Sequence, residues 1–188
     1  METIIEGVDY GPIACLVGRW KGQKGMDVSP EPGDGIERTP FHEVMTFDAI
    51  GDVTNAQKET LAVVRYHQVV SKQVNDEVFH DQVGYWLYDK SEQRVIHTLS
   101  IPRAVSVIAG GQATVENEKT ILKVSAELGH ADWGIIQSPF MRDNASTQSF
   151  SMEMIVHGDH MHYRESTILS IYGNQAFDHR DKSELQRL

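Results

Sequence analysis

Ser149-Phe-Ser-Met-Glu-Met-Ile-Val-His-Gly-Asp-His-Met-His-Tyr-Arg-Glu-Ser-Thr-Ile-Leu-Ser-Ile-Tyr172 holds two alternating runs around one turn signal. Gly158-Asp159 reads as a two-residue hairpin loop, with glycine at the first central position as a type II′ turn requires. That register pairs His157 with His160, Val156 with Met161, Ile155 with His162, Met154 with Tyr163, Glu153 with Arg164, Met152 with Glu165 and Phe150 with Thr167. Strand side chains alternate between faces. One face therefore carries Phe150, Met152, Met154, Val156, Met161, Tyr163, Glu165, Leu169 and Ile171, and it is predicted to point inward. The other carries Glu153 opposite Arg164, with Ser151, His157, His160 and Ser166. Methionine adapts to irregular space, so the inward face suits a wall around a ligand and equally a Met-padded core. Glu165 is the exception, because a buried carboxylate needs a cation, a donor or water beside it.

Outward from this hairpin, strand-like runs recur at 17–26, 41–49, 60–72, 77–88, 95–100, 104–116, 120–127, 134–137, 145–157 and 160–172. Turn-forming clusters at 29–35, 75–76, 90–92 and 116–118 separate several of them. Residues 9–16, entered through Gly11-Pro12, read as a short helical turn, and 53–57 as a candidate second one. Gly110-Gly111 reads as a bulge or bend rather than a phosphate loop. Residues 174–188 are polar and are expected to form a tail over the surface, outside a core of about residues 10–172 in one domain spanning 1–188. About ten antiparallel strands must deal with their edges, and closure does so. The expected fold is all-β: an antiparallel up-and-down barrel of about ten strands, just wide enough for one small ligand. A packed two-sheet sandwich is the competing arrangement.

The chain has 188 residues, enough to bury about 70% of its surface in one domain without staples. Cys15 has no partner for an internal disulfide, which favours a reducing compartment. The opening METIIEGVDY has neither the basic nor the apolar part of a signal peptide, and no run is long and apolar enough for a membrane helix. A cytoplasmic location is the expectation, and it leaves the sequon Asn144-Ala145-Ser146 without meaning. A net charge of −10 with no basic stripe argues against nucleic-acid binding.

Three pieces resemble the nitrobindin-like heme-binding barrels, calycin folds akin in shape to fatty-acid-binding proteins. Gly18-Arg19-Trp20-Lys21-Gly22 is similar to the family's first strand, where the indole plugs one end of the barrel and the glycines permit close strand approach. Phe79-His80-Asp81-Gln82-Val83-Gly84-Tyr85 resembles its His-x-Glu-x-Gly-Tyr/Phe strand, with Gln82 in place of Glu. Phe150-Ser-Met-Glu-Met154 resembles the penultimate strand. Further pieces, such as Gln137-Ser138-Pro139-Phe140-Met141 and Ile171-Tyr172-Gly173, resemble a proteobacterial subgroup of these barrels.

The resemblance implies heme b as cofactor, a histidine on the strand after 150–154 as iron ligand, and His80 on the open side of the pocket. His162 is the metal-ligand candidate if the register slips by one; Tyr163 is the inward candidate if it does not. Phe150, Met152, Met154 and Glu165 complete the expected cofactor surroundings. No nucleophile elbow or Cys-His pairing is present, so any catalysis would belong to the cofactor. With heme, the resemblance implies nitric oxide binding or peroxynitrite isomerisation. The alternative is a heme-free carrier or sensor of a fatty-acid-like metabolite; a filled barrel that serves structure or homodimer formation is the third reading. His157 and His160 at the hairpin tip could flank a surface zinc, but no fourth ligand is evident.

Overall fold

The computed structural model describes residues 2–33 and 35–188; Met1 and Asp34, the latter within the turn cluster at 29–35, lie outside the described residues. A small hairpin of β1 (Ile4–Ile5) and β2 (Val8–Asp9) leads into a 3₁₀ turn, Gly11–Leu16. Then follow β3 (Gly18–Glu31), β4 (Gly35–Asn55), β5 (Glu59–Lys72), β6 (Val78–Asp89), β7 (Arg94–Ile101), β8 (Val105–Glu116) and β9 (Lys119–Glu127). The chain continues through β10 (Ile135–Gln137) and the helix α1 (Pro139–Asn144) to β11 (Ala145–His157), β12 (His160–Ile171) and β13 (Asn174–Arg187).

Each strand from β3 to β9 pairs antiparallel with the next, β9 pairs with β11, and β11, β12 and β13 continue round to β3. Ten strands thus close a ring. The crossover from β9 to β11 lays β10 against the first residues of β8, whose later residues pair with β9. Ser138 caps α1 by accepting from the Met141 amide at 3.3 Å, which accounts for a helix at Ser-Pro that alternation does not reveal.

The deciding hairpin has the expected register, from His157↔His160 to Phe150↔Thr167. Gly158 has a φ of 57° while Asp159 is not left-handed, as a II′ turn requires. Two-residue chemistry also closes β8 to β9, where Asn117 and Glu118 both take positive φ between the paired Glu116 and Lys119. Glu153 finds its ion pair in Lys123 on β9, at 2.8 Å, rather than in Arg164.

Three expectations change. Residues 174–188 are not a surface tail: β13 is a barrel strand with neighbours on both sides, Glu165↔Asp181 on one and Asp181↔Asp27 on the other. Phe150–Met154 consequently lies on the antepenultimate strand. Residues 53–55 continue β4 as strand, the turn being made by Ala56 and Gln57 in the left-handed region. Gly110-Gly111 sits in unbroken ladder with β7 and β9, not in a bulge. The backbones approach so closely there that a Cβ on Gly111 would lie 1.8 Å from the Lys123 carbonyl oxygen.

One end of the barrel is filled. Trp20 and Trp86 are fully buried there with Tyr10, Ile13, Leu16, Phe47, Met154 and Met161. The 3₁₀ turn lies across this end, and its Leu16 carbonyl accepts from Trp20 Nε1 at 2.7 Å. Arg187, the last residue of β13, places its guanidinium 4.0 Å from the Trp20 ring centroid and donates to the carbonyls of Cys15 and Val17. Gly22 faces Ser183, Glu43 and Leu185 so closely that a Cβ would meet the Ser183 hydroxyl at 2.8 Å. Burial pushes the Cys15 thiol up to about 11, so it stays a thiol inside this plug.

Candidate ligand cavity

Above the plug the barrel is hollow. A cavity of about 420 Å³ is lined by Phe41, Val70, Phe79, Leu99, Phe150 and Leu169 among the apolar residues, with Lys72 and Arg103 among the cationic ones. Its volume lies in the range of small-molecule sites. A wider hollow of about 740 Å³ lies on the outer wall beside Asp48, Arg65, His67 and Tyr85, but these side chains are exposed and it encloses no buried charge.

The interior division along the barrel axis decides which inward residues line the cavity. Phe150, Tyr163 and Glu165 line the cavity, as does His80. Met152 and Met154 point inward as predicted, yet they pack in the interior core rather than on the cavity wall. Alternation fixes the face of a residue; only its height along the barrel decides between core and cavity. His162 pairs with Ile155 and Glu184 between the inward Met161 and Tyr163, so it lies on the outer wall, away from the cavity. His157 and His160 are exposed at the hairpin tip.

Three polar groups inside were not evident in the hairpin. The first runs from the cavity wall into the core. His80 Nε2 and Gln82 Oε1 are 3.3 Å apart, and Gln82 Nε2 donates to the Tyr66 hydroxyl at 2.7 Å. The Tyr66 proton is thereby left for His97 Nε2, 2.8 Å away. His97 is stacked on Trp86 at 4.2 Å, and burial drives its pKa down to about 3, so it is a neutral partner. Burial also holds His80 below its ordinary value, and with Nε2 donating to Gln82 Oε1 the neutral ring keeps Nδ1 as an acceptor.

The second group is centred on Glu43. Its Oε2 accepts from Gln68 at 2.7 Å and from the Tyr163 hydroxyl at 3.2 Å, while Oε1 has no partner among the described residues. Burial pushes its pKa from 4.5 to about 7. A signal for it existed: Phe41, Glu43, Met45 and Phe47 alternate on one face, and all four are buried.

The sign of the pH effect follows. A carboxyl with a raised folded pKa keeps a proton that the unfolded chain loses, so its stabilising contribution is full below about 4.5 and gone above about 7. Glu43→Gln retains an acceptor for Gln68 and Tyr163 without that titration. Urea melts should show the variant gaining on the order of 3 kcal/mol over wild type at pH 8 and almost nothing near pH 4. An equal difference at both pH values would mean that folding leaves the pKa of Glu43 unshifted.

The third group belongs to β13 and its neighbours. His179 Nε2 is 2.6 Å from Asp27 Oδ1 and 3.5 Å from Asp181 Oδ2, and Ser29 donates to Asp27 Oδ2 at 2.8 Å. Burial opposes charge at Asp27, but the hydrogen bond and charge of His179 outweigh it and hold that carboxyl low. Burial would likewise lower His179, and Asp27 and Asp181 raise it instead. Asp181 is pushed well up by burial, with Glu165 and Asp27 reinforcing the effect against the charge of His179. Glu165 rises to about 7 through burial and the nearby Glu43.

The result is a calycin-type barrel, plugged by Trp20 and Arg187 at one end and open at the other into a cavity with histidines on opposite stretches of its wall. The chain belongs to the family described as the THAP4-like, heme-binding beta-barrel domain, which it matches over residues 9–187. A solved structure, Rv2717c from M. tuberculosis, is similar at 20% identity and a TM-score of 0.73, with 94% of each chain covered. No curated protein matches the sequence. No helix among the described residues is long and apolar enough to cross a membrane.

Proposed function

We propose that the cavity of this barrel binds heme b, with His179 rather than His162 as the iron ligand. The observation that carries the reading is the position of His179: an imidazole on the last strand, on the cavity wall of a chain belonging to a heme-binding barrel family. The residues present fit such a group. Apolar side chains from β4, β5, β6, β7, β11 and β12 face the space, and Lys72 and Arg103 supply positive charge for its carboxylates. Bound there, heme would supply an iron centre suited to nitric oxide binding or peroxynitrite isomerisation. His80 would present a neutral ring to a small ligand in the same cavity, with Gln82 fixing its orientation. Tyr163 is tied to Glu43 and Gln68, which suits it to holding the cavity floor rather than to ligating iron.

A heme-free carrier of fatty acids has less support. A fatty-acid headgroup would meet the same Arg103 and Lys72 as heme's carboxylates, so the charge of the wall does not separate the two readings, and the heme-binding family favours heme.

Hemin titration of the purified protein, followed by absorbance and by the iron–imidazole stretch in resonance Raman, tests the assignment. Wild type and His162→Ala should give the same saturable Soret shift and the same stretch. His179→Ala should lose the stretch and bind at least tenfold more weakly. A histidine-ligated spectrum that survives His179→Ala and disappears with His80→Ala would move the ligand to the other wall.

A further inference from the structure

A relay of polar side chains crosses three neighbouring strands, from the cavity wall to the centre of the core. His80 and Gln82 lie on β6, Tyr66 on β5 and His97 on β7. Tyr66, Gln82 and His97 are each at most 3% exposed, so bulk water replaces none of their partners. The far end of the relay carries a cost. His97 accepts the Tyr66 proton on Nε2, so the proton of its own neutral ring sits on Nδ1, which has no partner among the described residues. A buried donor left unmatched destabilises the fold. An apolar ring would fill the same place between Trp86 and Phe150 without that cost. What the imidazole adds is an acceptor for Tyr66.

That acceptor sets the direction of every bond up to the cavity. Tyr66, which burial keeps protonated, spends its proton on His97 and can then only accept from Gln82. The Gln82 amide nitrogen is thereby turned to Tyr66, at 2.7 Å, and its oxygen to His80, at 3.3 Å. An amide oxygen only accepts, so His80 carries its proton on Nε2 and leaves Nδ1 bare. His80 lines the cavity, and its Nδ1 makes no hydrogen bond among the described residues. We infer that His97 and Tyr66 are positioning residues that fix His80 as a hydrogen-bond acceptor facing the cavity. The ligand met on that wall is accordingly one that carries an O–H or N–H, such as water or a hydroperoxide. A bare anion such as azide meets a lone pair there and is disfavoured. The tautomer follows from the relay alone, while the ligand class rests on the heme reading of the cavity.

The test uses the full-length, heme-free chain with ¹⁵N-labelled histidine. Long-range proton–nitrogen correlation at pH 8, where both rings are neutral, reads which nitrogen of His80 and of His97 carries the proton. Wild type should hold His80 in the Nε2–H form over the other by about tenfold or more, and His97 in the Nδ1–H form. Tyr66→Phe breaks the relay and His97→Phe removes its acceptor, so each should leave His80 a mixture of both forms. His97→Gln, which restores an acceptor for Tyr66, should bring the single form back. Phe47→Leu, which loosens the ring stacked on Tyr66 without touching the relay, should destabilise the fold and leave the single form intact. A wild-type His80 in the Nδ1–H form would mean that the relay runs in the opposite sense, with the Gln82 amide reversed, and would overturn the inference. An unchanged tautomer in either phenylalanine variant would overturn it too. In hemin-loaded protein at the same pH, azide should bind His80→Leu severalfold more tightly than wild type, because the repelling lone pair is gone; equal or weaker binding would overturn the ligand class. The expected tautomers without hemin uptake would remove the heme reading and leave the positioning role standing; hemin uptake with the opposite tautomer would do the reverse.

Discussion

Deleting residues 174–188 is expected to abolish folding: the truncated chain should show no cooperative thermal transition and no native near-ultraviolet circular dichroism. β13 is hydrogen-bonded along both sides, so its loss opens the ring and exposes two long unpaired edges, on β12 and β3. The deletion also removes Leu185, which is buried against the core, and Arg187, which covers Trp20. Open edges and an uncovered apolar interior should send most of the protein into aggregates. Retention of a melt within a few degrees of the full-length chain would mean that the strand is dispensable and that the barrel closes without it.

Trp20→Ala should cost about 3–5 kcal/mol, the range for emptying a buried aromatic site. The indole has no exposed surface, its N–H is bonded to the Leu16 carbonyl, and its other face carries Arg187. The alanine variant leaves a void, an unpaired carbonyl and a guanidinium without its aromatic partner. Trp20→Phe should recover much of the packing but not the hydrogen bond, and fall between the two. Arg187→Lys should also destabilise, because an ammonium cannot stack on the ring and reach the carbonyls of Cys15 and Val17 together. Urea midpoints at constant m-value measure all three. A cost under about 1 kcal/mol for Trp20→Ala would show that the plug adds little to stability.

The two ends of the barrel also differ in how readable they were. At the plugged end, alternation of large apolar residues marks every strand, and the Gly-x-Trp-x-Gly and hairpin signals place the residues on their faces. At the open end the inner wall has to be partly polar, so the inward positions of β13 read Phe177, His179, Asp181, Ser183, Leu185 and Arg187. A strand with so few apolar residues looks like a solvated tail, and nothing in its local pattern placed His179 inside the barrel.

With Trp20 and His80 placed inside only through the family resemblance, the sequence by itself determined that the chain is a set of antiparallel strands and which face of β11 and β12, Tyr163 and Glu165 included, turns inward. Those conclusions depend on local rules: a two-residue period and a turn whose glycine sets the register. Only the tertiary structure decided that residues 174–187 complete the ring, that Met152 and Met154 belong to core rather than cavity, and that Asp27, His179 and Asp181 meet. These depend on closure, which brings residues 152 positions apart in the chain to 2.6 Å, and no local pattern records which strand will stand beside the first.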